Sequence, residues 1–139
     1  METSSHEPSA GQTFGNYYVT NDMWNAKIWI NGVASSGSAE VMVWTDNFHQ
    51  TPGGSLQGSA TLGGRGYSVY RGGSYIAFEA RSNFTAGTVN LLAIFQWIMN
   101  KGWMPANSTL GQVDYGVELV STNGSPATFT FTKFSISTS

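Results

Sequence analysis

The sequence predicts an all-β fold, an antiparallel β-sandwich with one α-helix packed on it. Three observations carry that prediction. Charged residues make up only 10% of the 139-residue chain, against roughly 25% in an average soluble protein, so lysine and glutamate are too scarce to clothe many exposed helices. Short segments rich in Val, Ile, Tyr, Trp and Thr alternate with clusters of Gly, Ser, Asn and Pro, the signature of strands and turns. Only one stretch carries a helical period. Hydrophobic residues at 40% and aromatics at 14% are enough to bury a core. The length suits a single domain over 1–139.

Residues 1–13 are polar, carry Gly, Ser and Pro, and read as a flexible tail. Strands are expected near 16–24, 26–31, 39–46, 57–62, 66–71, 73–80, 112–121 and 126–138. Turns fall from Asn31-Gly32 to Gly37, at Pro52-Gly53-Gly54, Gly63-Gly64, Gly72-Gly73 and Asn123-Gly124-Ser125-Pro126. Residues 88–101 are the helical stretch. Leu91, Leu92, Phe95, Ile98 and Met99 recur three and four apart and share one face. Thr88 can cap its start, Lys101 suits the negative C-terminal end, and Gly102 suits the stop. In the last strand Ala127, Phe129 and Phe131 alternate, but Phe134 and Ile136 follow on the other parity. A β-bulge at Thr132-Lys133 accounts for the change.

The charge pattern narrows the function. The net charge is −2, and Lys and Arg are scattered singly, so no stripe offers the clustered phosphate contacts that nucleic acid needs. Cysteine is absent, which removes disulfides, thiolate metal sites and thiol nucleophiles. His6 and His49 stand too far from other ligands to suggest a metal site or a triad. No apolar run of 18 residues suggests a membrane span. The polar start does not read as a signal peptide. Sequons begin at Asn83 and Asn107, but such triplets arise by chance in Ser/Thr-rich chains.

Of the eight carboxylates, two sit in mid-strand rather than beside turns. Glu40 lies in Ala39-Glu40-Val41-Met42-Val43-Trp44, and Glu118 in Tyr115-Gly116-Val117-Glu118-Leu119. Strand side chains alternate faces. Val41 and Val43 can face the core while Glu40, Met42 and Trp44 line the opposite face. Tyr115, Val117 and Leu119 share one face; Asp114, Gly116 and Glu118 share the other, with Gly116 leaving space beside Glu118. One reading is a pair of glutamates on the solvent side of a sheet. The other is a carboxylate pair in a concave sheet, as glycosidases use. A retaining pair sits roughly 5–5.5 Å apart and an inverting pair roughly 6.5–9.5 Å. Trp24, Trp29 and Trp44 all fall on expected strands, and indoles stack on the flat C–H faces of sugars. By parity Trp29 and Lys27 share a face, with Ile28 and Ile30 on the core side.

These segments resemble family-12 glycoside hydrolases. Glu40-Val41-Met42-Val43-Trp44 looks like the family's nucleophile strand. Tyr115-Gly116-Val117-Glu118, with Ser121-Thr122-Asn123-Gly124 after it, looks like its acid/base strand. Between them the family's order recurs: a Gly-Gly loop, Tyr67 and Tyr70 on two strands, Tyr75-Ile76-Ala77-Phe78, then the lone helix. Residues 127–136 are similar to its last strand, and Asn16 to Trp24 resembles its N-terminal strand. The resemblance implies a β-jelly roll and retaining hydrolysis of internal β-1,4 bonds in cellulose-type or mixed-linkage glucans. It implies Glu40 as nucleophile and Glu118 as acid/base. Trp24 would stack a glucosyl ring with Asn21 nearby, and Met42 and Trp44 would line the cleft floor; Trp29, placed by strand parity, is a further candidate for substrate binding. It also implies β-glucan as the partner, no cofactor or metal, a monomer, and an extracellular setting.

Two departures stand out. The N-terminal motif runs almost directly into Ala26-Lys27-Ile28-Trp29-Ile30, where the family places several further strands. Lys27 stands where the family carries an aspartate beside the nucleophile, so an ammonium could stabilise or occupy Glu40. Both favour a rival reading, a catalytically impaired glucan-binding protein or a recombined fragment of such an enzyme.

Overall fold

The computed structural model describes residues 2–9, 23–34, 37–122 and 128–138. Its elements are β1 (Glu2–Ser9), β2 (Met23–Ala34), β3 (Gly37–Phe48), β4 (Ser55–Leu62), β5 (Arg65–Gly72) and β6 (Tyr75–Ala80), followed by β7 (Gly87–Asn90), α1 (Leu91–Asn100), β8 (Thr109–Ser121) and β9 (Thr130–Thr138). They form a six-stranded sheet of order β4-β5-β6-β3-β2-β8 and a three-stranded sheet of order β7-β1-β9. The expected sandwich with one helix is present. It is antiparallel except between β3 and β6, which run parallel. The β4–β5 hairpin separates them in sequence, and β6 then returns between β5 and β3.

The core forms where strand parity meets the helix face. Ile28 and Ile30 of β2, Val41 and Val43 of β3, Val69 of β5, and Ile76 and Phe78 of β6 are buried together. Leu91, Ile94, Phe95 and Ile98 of α1 close over them. Phe78 meets Tyr67 and Trp97 edge-on, at centroid distances of 5.9 and 5.6 Å, the geometry that aromatic quadrupoles favour.

Several expectations change here. Residues 2–9 are not a loose tail: β1 is the middle strand of the smaller sheet, pairing with β7 and β9. Main-chain hydrogen bonds need no apolar side chain, so a polar segment can fill this place without leaving a hydrophobic pattern. The helix starts later than its period suggests, because Gly87–Asn90 is taken by β7. Asn90 rather than Thr88 is the cap, its side chain accepting from the Ala93 amide at 3.0 Å. The stop is as expected: Gly102 adopts φ +73° and its amide donates to the Met99 carbonyl at 2.9 Å. The bulge near Thr132-Lys133 is present too, since His6 faces Phe134 but Pro8 faces Phe131. Residues 16–22 of the first expected strand, and the turn at 123–126, lie outside the described residues. Met23 and Trp24 open β2, which runs through Asn25 without a break.

Among the described residues β8 and β9 are edge strands of their sheets, and their aromatic side chains meet. Tyr115 packs on Phe131 and Phe134 at 5.2 and 6.0 Å. Leu119, Val120, Phe131, Phe134 and Ile136 remain exposed. Among the described residues no helix is long and apolar enough to cross a membrane.

Candidate active site

The site lies on the face of the large sheet opposite the helix, and β2 is its spine. β3 and β8 flank β2. On β2, Asn31 stands opposite Glu40 of β3, and Trp29 stands between Met42 of β3 and Asp114 of β8. Lys27 stands between Trp44 and Gly116, and Asn25 between Asn47 and Glu118. Period-two alternation places all these side chains on one face. A bulge in β3 preserves that parity. Ala26 faces Asp46 while Lys27 faces Trp44, so Thr45 is the extra residue. Its hydroxyl donates to the Ala26 carbonyl at 3.3 Å and shares a hydrogen bond with the Tyr115 hydroxyl at 2.7 Å.

Glu40 and Glu118 therefore lie on one sheet face, six positions apart along β2. Two side chains fill the interval. Trp29 donates its indole N–H to Glu40 Oε1 at 2.8 Å. The Lys27 ammonium donates to Glu118 Oε2 in an ion pair and lies 4.1 Å from the Trp29 ring centroid and 5.3 Å from that of Trp44. Lys27 is only 1% exposed, whereas the Glu118 side chain is 45% exposed. A buried ammonium needs a counter-ion, and Glu118 supplies it. The sequence suggested that Lys27 bears on Glu40. The register sends it to the other glutamate, because Lys27 pairs with Trp44, four residues beyond Glu40, and reaches across to β8.

Two depressions open along this face and form the groove. Trp29, Asn31, Glu40, Gln112 and Asp114 line one. Lys27, Trp29, Trp44, Thr51, Tyr75 and Glu118 are among those lining the other. Trp29 borders both and is the most accessible of the three strand tryptophans, at 36% exposure. Met42 and Trp44 do lie on the groove face, buried with Ala77 against Tyr70 and Tyr75, so they form floor rather than wall. Trp24 does not reach the groove. It is buried with Ala26, stacked on Phe48 and edge-on to Phe129. Its parity is that of Ile28 and Ile30, so an unbroken β2 turns it into the core. Asn21 lies outside the described residues.

Sequence reasoning gave no role to Tyr75, Asp114 or Asn25. Tyr75 stands opposite Glu40 in the parallel β3–β6 pair. Burial first, then the charges of Glu118 and Glu40, push its phenol above the ordinary value, so it lies within the field of both glutamates. Its position follows from a parallel crossover that no local pattern announces. Asn25 is fully buried, and neither end of its amide has a hydrogen-bond partner among the described residues. At the far end of β3, Asn47 donates to Glu79 at 3.2 Å; burial outweighs that bond and raises the Glu79 carboxyl. Among the described residues no group of three or more His, Cys, Asp or Glu is placed to hold a metal ion.

Residues 5–139 match the sequence model of a family described as Glycosyl hydrolase family 12. No curated protein matches the chain. Among solved structures, an endo-1,4-β-glucanase, the cellulase CelB2, is 22% identical with a TM-score of 0.78, the match covering 97% of this chain and 60% of that one. The endoglucanase Cel12A from Rhodothermus marinus is 22% identical with a TM-score of 0.75, covering 97% and 59%. The xyloglucanase domain of NopAA, a type three effector from Sinorhizobium fredii solved with cellobiose, is 26% identical with a TM-score of 0.78, covering 98% and 67%. The chain thus spans about three-fifths of the length of the first two of these relatives.

Proposed function

Because this chain belongs to glycosyl hydrolase family 12, we propose that its groove binds a β-1,4-linked glucan and hydrolyses internal bonds with retention. Glu40 attacks the anomeric carbon as the glycosidic bond breaks, and Glu118 gives its proton to the departing oxygen. Glu118 then takes a proton from water, and that water's oxygen displaces Glu40 from the glycosyl ester. Trp29 offers its ring to a sugar face and its N–H to Glu40. The observation that carries this reading is that Glu40 and Glu118 lie on one face of the large sheet, in two depressions that Trp29 borders. The chemistry needs no metal or organic cofactor. Glucan polymers lie outside cells, so the proposed setting is extracellular, which fractionation of a producing culture checks.

A second reading, glucan binding without turnover, is favoured by the Lys27–Glu118 pair. A carboxylate held by an ammonium offers no proton to a leaving oxygen. Lys27 and Trp29 also fill the interval that a retaining pair closes to about 5–5.5 Å. Release of reducing ends from soluble β-glucan separates the two. Turnover abolished by both Glu40→Ala and Glu118→Gln supports the enzyme. Oligosaccharide binding by calorimetry with no turnover in the unmodified chain supports the binding protein. Xyloglucan and mixed-linkage glucan run side by side give the substrate preference.

A further inference from the structure

We propose that Lys27 is a movable counter-ion that passes between Glu118 and Asp114, and that its passage to Asp114 frees Glu118 for proton transfer. The proposal rests on the hydrolytic reading above. Its basis is the register of β2 on β8. Lys27 stands opposite Gly116, with Asp114 and Glu118 two residues away on either side. All three positions of β8 share the groove face. The lysine thus faces a gap with a carboxylate at each edge. Diagonal neighbours of this kind sit roughly 7–8 Å apart, within the reach of a lysine stem.

Three further observations make the passage feasible. A Cβ built on Gly116 would meet nothing within 4 Å, so the path across the gap is open. Asp114 is exposed and makes no hydrogen bond or ion pair with the described residues, so it is free to receive the ammonium. Trp29, whose ring already lies 4.1 Å from the ammonium, stands opposite Asp114, so the cation keeps an aromatic face throughout. A buried ammonium needs a counter-ion, and two flanking carboxylates let Lys27 leave Glu118 without being left unpaired. The half-exposed Glu118, once released, can turn into the groove. Lys27 and Asp114 act through Glu118 and are positioning residues.

A double-mutant cycle tests this on soluble β-glucan. Asp114→Asn should strand Lys27 on Glu118 and lower kcat about tenfold with KM little changed, part of the roughly 10²–10⁴-fold that a general acid supplies. Lys27→Met should raise kcat above that of the unmodified chain. In the Lys27→Met background, Asp114→Asn should no longer cause that tenfold fall in kcat, whatever it does to KM. An equal loss in both backgrounds, or in neither, overturns the proposal. Absence of turnover in the unmodified chain and in Lys27→Met alike would instead sink the hydrolytic reading. A crystal structure of Glu118→Gln is independent of turnover. It should show the Lys27 ammonium on Asp114; an ammonium still on residue 118, or turned to solvent, overturns the proposal by itself.

Discussion

Asp46 gives a prediction whose sign runs against habit. The β3 bulge turns it toward the side of Trp24, Ala26 and Tyr115, opposite Ala26. Burial raises its carboxyl from 3.8 to about 6, against a smaller opposing effect from the Asn47 amide. A raised acid pKa means that the folded state binds the proton more tightly than the unfolded one. Ionised Asp46 therefore destabilises the fold. The penalty is absent below about pH 4, grows between about 4 and 6, and is complete above that. A shift of this size corresponds to about 3 kcal/mol, and partial exposure reduces it to roughly half. Asp46→Asn keeps an acceptor for the Asn47 amide and removes the charge. Urea unfolding followed by tryptophan fluorescence should find it more stable than the unmodified chain by about 1.5 kcal/mol at pH 7.5. At pH 4 the two should agree. A constant difference across that range, or a less stable variant at pH 7.5, would refute the desolvation argument.

Other outcomes follow from single contacts. Trp29→Phe keeps a ring but removes the donor to Glu40; oligosaccharide affinity by calorimetry should hold while kcat falls about tenfold or more. Gly54→Ala should lower the thermal midpoint and cost about 1–3 kcal/mol, because Gly54 has φ +78° and its Cβ would come within 2.4 Å of the Arg71 backbone. Asn90→Ala should cost about 1 kcal/mol in urea unfolding through the lost cap. Phe78→Ala should cost about 3–5 kcal/mol by the same measurement.

Most of the large sheet and the two glutamates were legible in the sequence. Alternation in Lys27-Ile28-Trp29-Ile30 and Glu40-Val41-Met42-Val43-Trp44 states which side chains share a face, because that depends only on local backbone geometry. The helix period was equally plain, yet its first turn was lost to β7, whose pairing with β1 competes for the same residues. β1 itself was illegible, since its bonds are main-chain and its sequence is polar. Trp24 was misplaced because its role followed from a motif rather than from its own parity.

Local pattern in the chain supplies an inventory: an aromatic, weakly charged β protein with Glu40 and Glu118 on one strand face each. Tertiary structure decided how the inventory is joined. Only strand order puts β2 between the two glutamates, and only register puts Lys27 opposite Gly116 and against Glu118. Those facts depend on contacts between residues far apart in the chain, 91 positions in the case of Lys27 and Glu118, and no local pattern encodes them.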